Sequence, residues 1–203
     1  MSCTENEAHQ FSHNEDINQW VNENKTQLLN FERKEIKELD FEKQKAVMRL
    51  LPPEKKRKVW AQKINYILQM NLSEAELNHM KYFAEEFKKI DYKAPISDEF
   101  SDELYEKVMI GAKKFNWNEE FIYTAFFTVG DVSYSKLNED LNSNNLTTEG
   151  IDPPCVCRYS ASCFGYNNTC HKPDKCTVAN TDCGVFGTST CNGYCTDDIF
   201  IPN

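Results

Sequence analysis

The sequence predicts an all-α helical domain followed by a small disulfide-rich C-terminal module, and three observations predict it. Apolar residues recur at helical spacing through residues 14–137, on segments rich in Glu, Lys and Leu. Eight of the nine cysteines fall between Cys155 and Cys195. Between the two regions runs a polar, Asn-rich stretch with no periodicity, Asn138 to Gly150. The expected divisions are a flexible tail over 1–13, the helical domain over 14–137, a linker over 138–154 and the cysteine-rich module over 155–203. The linker is expected to be open to protease, leaving two separable parts.

The helices follow from apolar stripes and end signals. Ile17, Trp20 and Val21 form a short apolar face, whereas Phe31, Ile36 and Leu39 fit no single period. Asp40 can cap a helix that buries Val47, Leu50 and Leu51. Pro52-Pro53 ends it and opens the next, since proline fits a first turn but not a helix interior. That next helix reaches about Met70, with Trp60, Ile64, Ile67 and Leu68 as its buried stripe. Ser73 and Glu76 have the spacing of a capping box, ahead of Leu77, Met80, Ala84 and Phe87. Pro95 interrupts the chain again. Leu104, Val108, Ala112 and Phe115 mark a further helix. Asn118 can cap a last one, with Phe121, Ile122, Ala125, Phe126 and Val129 inward and Gly130 as its stop. Six such stripes can bury one another in a small bundle.

The cysteines of the second part are Cys155, Cys157, Cys163, Cys170, Cys176, Cys183, Cys191 and Cys195. Such density in a short segment points to covalent cross-links in place of a large core. Cys155 and Cys157 are too close to bridge each other without strain. Eight cysteines allow about a hundred pairings, and the spacing does not choose among them. Each bridge contributes roughly 2–4 kcal/mol, chiefly by restricting the unfolded chain. Zinc is the rival reading, because His171 adjoins Cys170. The Cys-x2-Cys knuckles of zinc sites do not occur, so four disulfides and no metal are expected.

Disulfides require an oxidising compartment, so the protein is expected to be exported, either secreted or anchored as a lipoprotein. Met1-Ser2-Cys3-Thr4-Glu5 lacks the charged and apolar regions of a signal peptide, so the signal is expected upstream of these residues. Cys3, followed by polar and acidic residues, is a candidate lipidation site. No apolar run is long enough to span a bilayer; Phe121 to Val129 is broken by Tyr and Thr. The net charge of −9 and pI near 5.0 disfavour nucleic acid as a partner.

No catalytic set is visible. His9 and His13 lie in the expected tail, His79 on a helix surface and His171 in the module. The nucleophile, zinc-protease and phosphate-loop motifs are missing, and adjacent Cys170 and His171 are poorly placed to act on each other. Neither catalytic nor cofactor-binding residues are assigned. The basic run Pro53 to Val59 reads as the charged, solvated face of a helix. The module's aromatic residues, Tyr159, Phe164, Tyr166, Phe186, Tyr194 and Phe200, are expected either to contact a target or to cover the disulfides.

Two stretches carry a resemblance. One is Leu51-Pro52-Pro53-Glu54 with Arg57, Trp60 and Lys63, then Leu72-Ser73. The other is Cys155-Val156-Cys157, Cys163, Cys170, Cys176, Asp182-Cys183-Gly184 and Cys191-Asn192-Gly193-Tyr194-Cys195. Together they resemble the bacteriocin fulvocin C-related family of bacterial proteins, over roughly residues 31–90 and 155–195. The resemblance implies an exported, non-enzymatic antibacterial protein whose Cys-rich C-terminus is the active part and whose helical part is a leader or carrier. Its partner would be an unknown target on other bacteria. The alternative is a surface lipoprotein that acts as a binding or inhibitor module for a surface protein.

Overall fold

The computed structural model describes residues 11, 12, 14–94, 96–132 and 179–191, the last stretch by backbone alone at 179–181. These residues contain seven α-helices: α1 (Glu15–Leu28), α2 (Arg33–Ile36), α3 (Phe41–Leu50), α4 (Pro53–Leu68), α5 (Glu74–Phe87), α6 (Asp98–Phe115) and α7 (Glu119–Phe126). Two short strands follow, β1 (Ala179–Cys183) and β2 (Ser189–Cys191), joined through a 3-10 turn at Val185–Gly187.

The helix ends obey their local chemistry. Asp40 Oδ1 accepts from Lys43 N at 2.9 Å, and Asn118 Oδ1 accepts from Phe121 N at 2.7 Å. Each satisfies a backbone donor that the first helical turn leaves without a partner. Ser73 and Glu76 form the full capping box at the start of α5. The diproline separates α3 from α4, with Pro53 as the first residue of α4. The ambiguous stretch after residue 25 resolves into the end of α1 and the single-turn α2. Helix α7 stops at Phe126, ahead of Gly130, although Val129 remains buried.

Packing runs α1 on α3, α2 and α5 on α4, α6 on α5 and α7 on α6. Val21, Val47, Val59, Phe83, Leu104, Val108, Phe121 and Phe126 are fully enclosed in one continuous core. Two residues assigned to the expected tail are packed onto the helices. Phe11 and Ser12 are buried, and their amides both donate to Asn18 Oδ1, at 2.9 and 2.8 Å. The apolar ring of Phe11 belongs to the core, and Arg49 donates to its carbonyl at 3.0 Å.

Three polar residues are more buried than their charge suggested. Lys56, placed by the sequence reading on a solvated face, is buried. Lys63 has no exposed surface; its Nζ donates to the carbonyls of Thr124, at 2.6 Å, and Gly130. Arg33 donates to the carbonyls of Val129 and Gly130 and to Asp131 Oδ1, at 2.8–2.9 Å. The two cations thus satisfy carbonyls at and beyond the end of α7, where the helix leaves acceptors unbonded. His79 is half-buried rather than on the surface. Its ring meets Phe83, Phe115 and Trp117 at centroid distances of 5.3–5.7 Å.

Candidate functional site: the socket for the disulfide loop

Strands β1 and β2 pair antiparallel, with Ala179 opposite Cys191 and Cys183 opposite Ser189. Cys183 and Cys191 are joined by a disulfide. The loop between them is tightly folded, because Gly184 and Gly187 take φ of +72° and +69°. A Cβ on Gly184 would lie 2.3 Å from Ser189 Oγ, and one on Gly187 would lie 3.2 Å from Trp60 Nε1. Glycine suits both positions on conformational and steric grounds. Thr188 Oγ1 closes the turn by donating to the Val185 carbonyl at 2.8 Å.

The loop is built into the helical domain. Phe186, also left-handed at φ 55°, is 1% exposed. Its ring is surrounded by Trp60 of α4, Phe83 and Phe87 of α5 and Phe126 of α7, at centroid distances of 5.6–6.1 Å. Several of these contacts are edge-on, the arrangement that ring quadrupoles favour. Burying one such ring stabilises by roughly 1.5–3 kcal/mol from area alone. Phe186 therefore neither covers a disulfide nor faces a target, the two roles expected of it; it completes the aromatic core of the bundle. The other module aromatics lie outside the described residues.

Three polar contacts fix the loop's orientation. Tyr92 Oη donates to the Phe186 carbonyl at 2.5 Å, and Ser101 Oγ donates to the Thr188 carbonyl at 3.0 Å. Lys56 Nζ lies 3.0 Å from both carboxylate oxygens of Asp182, with 11% and 7% of the two side chains exposed. Burial, reinforced by the Asp182 carboxylate, raises the Tyr92 phenol well above its ordinary value, so it remains a neutral donor.

Beside the loop is a cleft lined by Phe41, Gln44, Lys45, Met48, Trp60, Phe127, Thr128, Val129 and Asp182. Its water-sized space is about 20 Å³, room for one water molecule. Burial brings the Lys45 ammonium at its edge down to about 8. Among the described residues, no three His, Cys, Asp or Glu side chains converge as a metal-ligand set, and no helix is long and apolar enough to cross a membrane.

Of the sequence-predicted site residues, Cys183 and Cys191 are brought together. Cys3, Cys155, Cys157, Cys163, Cys170, Cys176 and Cys195 lie outside the described residues, as does the linker. The expected separation of two parts turns on the linker, which lies outside the described residues; the described loop of the module, by contrast, packs into the helices. Sequence reasoning missed Lys56, Tyr92, Ser101 and Asp182 as the joint. One signal was available, because Lys56, Trp60, Lys63, Ile64 and Ile67 share one face at helical spacing. A cation on that face must find a partner inside. Comparison with protein-family models, curated proteins and solved structures returns no match.

Proposed function

We propose that this chain is an exported, non-enzymatic, bacteriocin-like antibacterial protein, with the helical domain as carrier and the Cys-rich module as the active part. The observation that supports this reading is where the two stretches bearing the family resemblance meet. Trp60, from the helical stretch, packs on the loop bracketed by Cys183 and Cys191, and Asp182 pairs with Lys56 of the same helix. A carrier has to hold its cargo, and these contacts hold it. Export, and lipid attachment at Cys3, belong to the same proposal, as does a target on other bacteria.

The test applies three forms of the protein to a panel of related bacteria: the intact oxidised chain, the chain cut within residues 138–150, and the reduced chain. Inhibition by an oxidised form, lost on reduction, is the expected result. Growth unaffected by all three forms would overturn the reading.

A second reading is favoured by the burial of Phe186 in the helices, which makes the described parts one packed unit. In it, the protein acts intact as a surface lipoprotein that binds or inhibits another surface protein. Capture of one defined surface protein by the intact chain, with no inhibition of growth, would select it.

A further inference from the structure

We propose that the helical domain is a peptide receptor whose ligand is the disulfide-closed loop from Cys183 to Cys191, so that the module stays bound after the connecting chain is cut. The receptor side is assembled from five pieces of chain: Lys56 and Trp60 on α4, Phe83 and Phe87 on α5, Tyr92 in the following turn, Ser101 on α6 and Phe126 on α7. The ligand side presents one ring, two backbone carbonyls and one carboxylate, and each has its counterpart. The ring of Phe186 fills the aromatic pocket, the carbonyls of Phe186 and Thr188 accept from Tyr92 and Ser101, and Asp182 meets Lys56.

The loop carries its own shape. Asp182, Gly184, Phe186 and Gly187 all have positive φ. The Cys183–Cys191 bridge and the bonds from Gly187 N to the Gly184 carbonyl and from Thr188 Oγ1 to the Val185 carbonyl hold that conformation. A ligand already ordered loses little conformational freedom on binding. The named contacts join residues 56–126 to residues 182–188, so none depends on an unbroken chain across 133–178. The chemistry recognised is a disulfide-closed loop with an acidic residue before its first cysteine and an aromatic residue in left-handed conformation at its tip.

The experiment uses the full chain with Cys3→Ser, so that no disulfide can join the fragments, and with a protease site inserted in residues 138–150. The oxidised protein is cut and run on native size exclusion at micromolar concentration. The two fragments should elute together. Phe186→Ala should weaken retention by roughly a hundredfold or more, the scale of losing a ring from a packed pocket. Tyr92→Phe and Ser101→Ala leave no large cavity and each should weaken it by about fivefold, one hydrogen bond apiece. Separate elution of the unsubstituted fragments would overturn the proposal. So would retention unchanged in all three substituted proteins. Retention is independent of killing: if neither the intact nor the cut oxidised chain inhibits growth, the antibacterial reading falls, while fragments that still hold together keep the receptor.

Discussion

Lys56 and Asp182 are 126 residues apart in sequence, yet the Lys56 ammonium sits 3.0 Å from both oxygens of the Asp182 carboxylate, in a site nearly closed to water. Removing one member of such a pair leaves the other charge buried without its partner, at a cost of roughly 3–5 kcal/mol. Lys56→Met and Asp182→Asn should therefore each destabilise the oxidised protein strongly in urea titrations. The double substitution should recover part of the loss, because it buries no orphaned charge. A double variant as unstable as the sum of the two singles would show that the pair is not coupled.

Trp60 tests whether the loop and the helices share one core. Its side chain is 4% exposed and packs on Phe186. Trp60→Ala should cost roughly 3–5 kcal/mol. A loss below about 1 kcal/mol, outside the range expected for a buried aromatic, would mean that the stripe of α4 does not face the core.

Stability should rise with pH through the neutral range. Burial pushes the Lys63 ammonium down to about 7 from 10.5; repulsion from Arg33 adds to the shift and the Asp131 carboxylate opposes it. Lys45 follows the same direction, to about 8. Between these values and 10.5 the unfolded chain holds more protons than the folded one. Folding is therefore favoured as pH rises across that window and loses this contribution as pH falls toward 7. The slope is at most about 1.4 kcal/mol per pH unit per group. Urea midpoints of the Cys3→Ser protein at pH 7 and pH 9 should show the rise, and Lys63→Met should flatten it. An unchanged slope in that variant would assign the effect to other groups.

Glu76 does two jobs at once. One carboxylate oxygen accepts from the Ser73 amide and hydroxyl, and the other accepts from Trp117 Nε1 at 2.9 Å. Glu76→Ala removes the side-chain half of the capping box, leaving the Ser73 hydroxyl on the residue-76 amide, and deprives a buried indole donor of this acceptor, so a loss of roughly 1–3 kcal/mol is expected. Glu76→Gln keeps an acceptor and should lose less. Thermal unfolding of the two variants side by side decides the ranking.

The eight cysteines of the module should form four bridges. The unreduced protein should then weigh about 8 Da less than the reduced form, two hydrogens per bridge. Peptide mapping should recover Cys183 linked to Cys191. Zinc bound in stoichiometric amount, with the thiols free, would contradict the disulfide assignment.

The sequence by itself determined six of the seven helices among the described residues and most of their starts, because these depend on neighbours in the chain; α2 and the end of α7 were not legible in it. The diproline and the Asp40, Ser73 and Asn118 caps act within one or two turns and appear where expected, whereas of the apolar stripes Leu50, Leu68, Leu77, Ala84 and Phe115 are only partly buried. It also marked the cysteine module by density alone. Only the tertiary structure decided which cations are buried and where Phe186 goes. Lys56 and Lys63 lie on the apolar face of α4, but their partners come from Asp182 and from carbonyls at Thr124 and Gly130, which no local rule connects to that helix. Burial of a charge is settled by whether a distant group can meet it: the segment leading into the Cys183–Cys191 loop supplies Asp182 for Lys56, and the end of α7 and the chain after it supply carbonyls for Lys63.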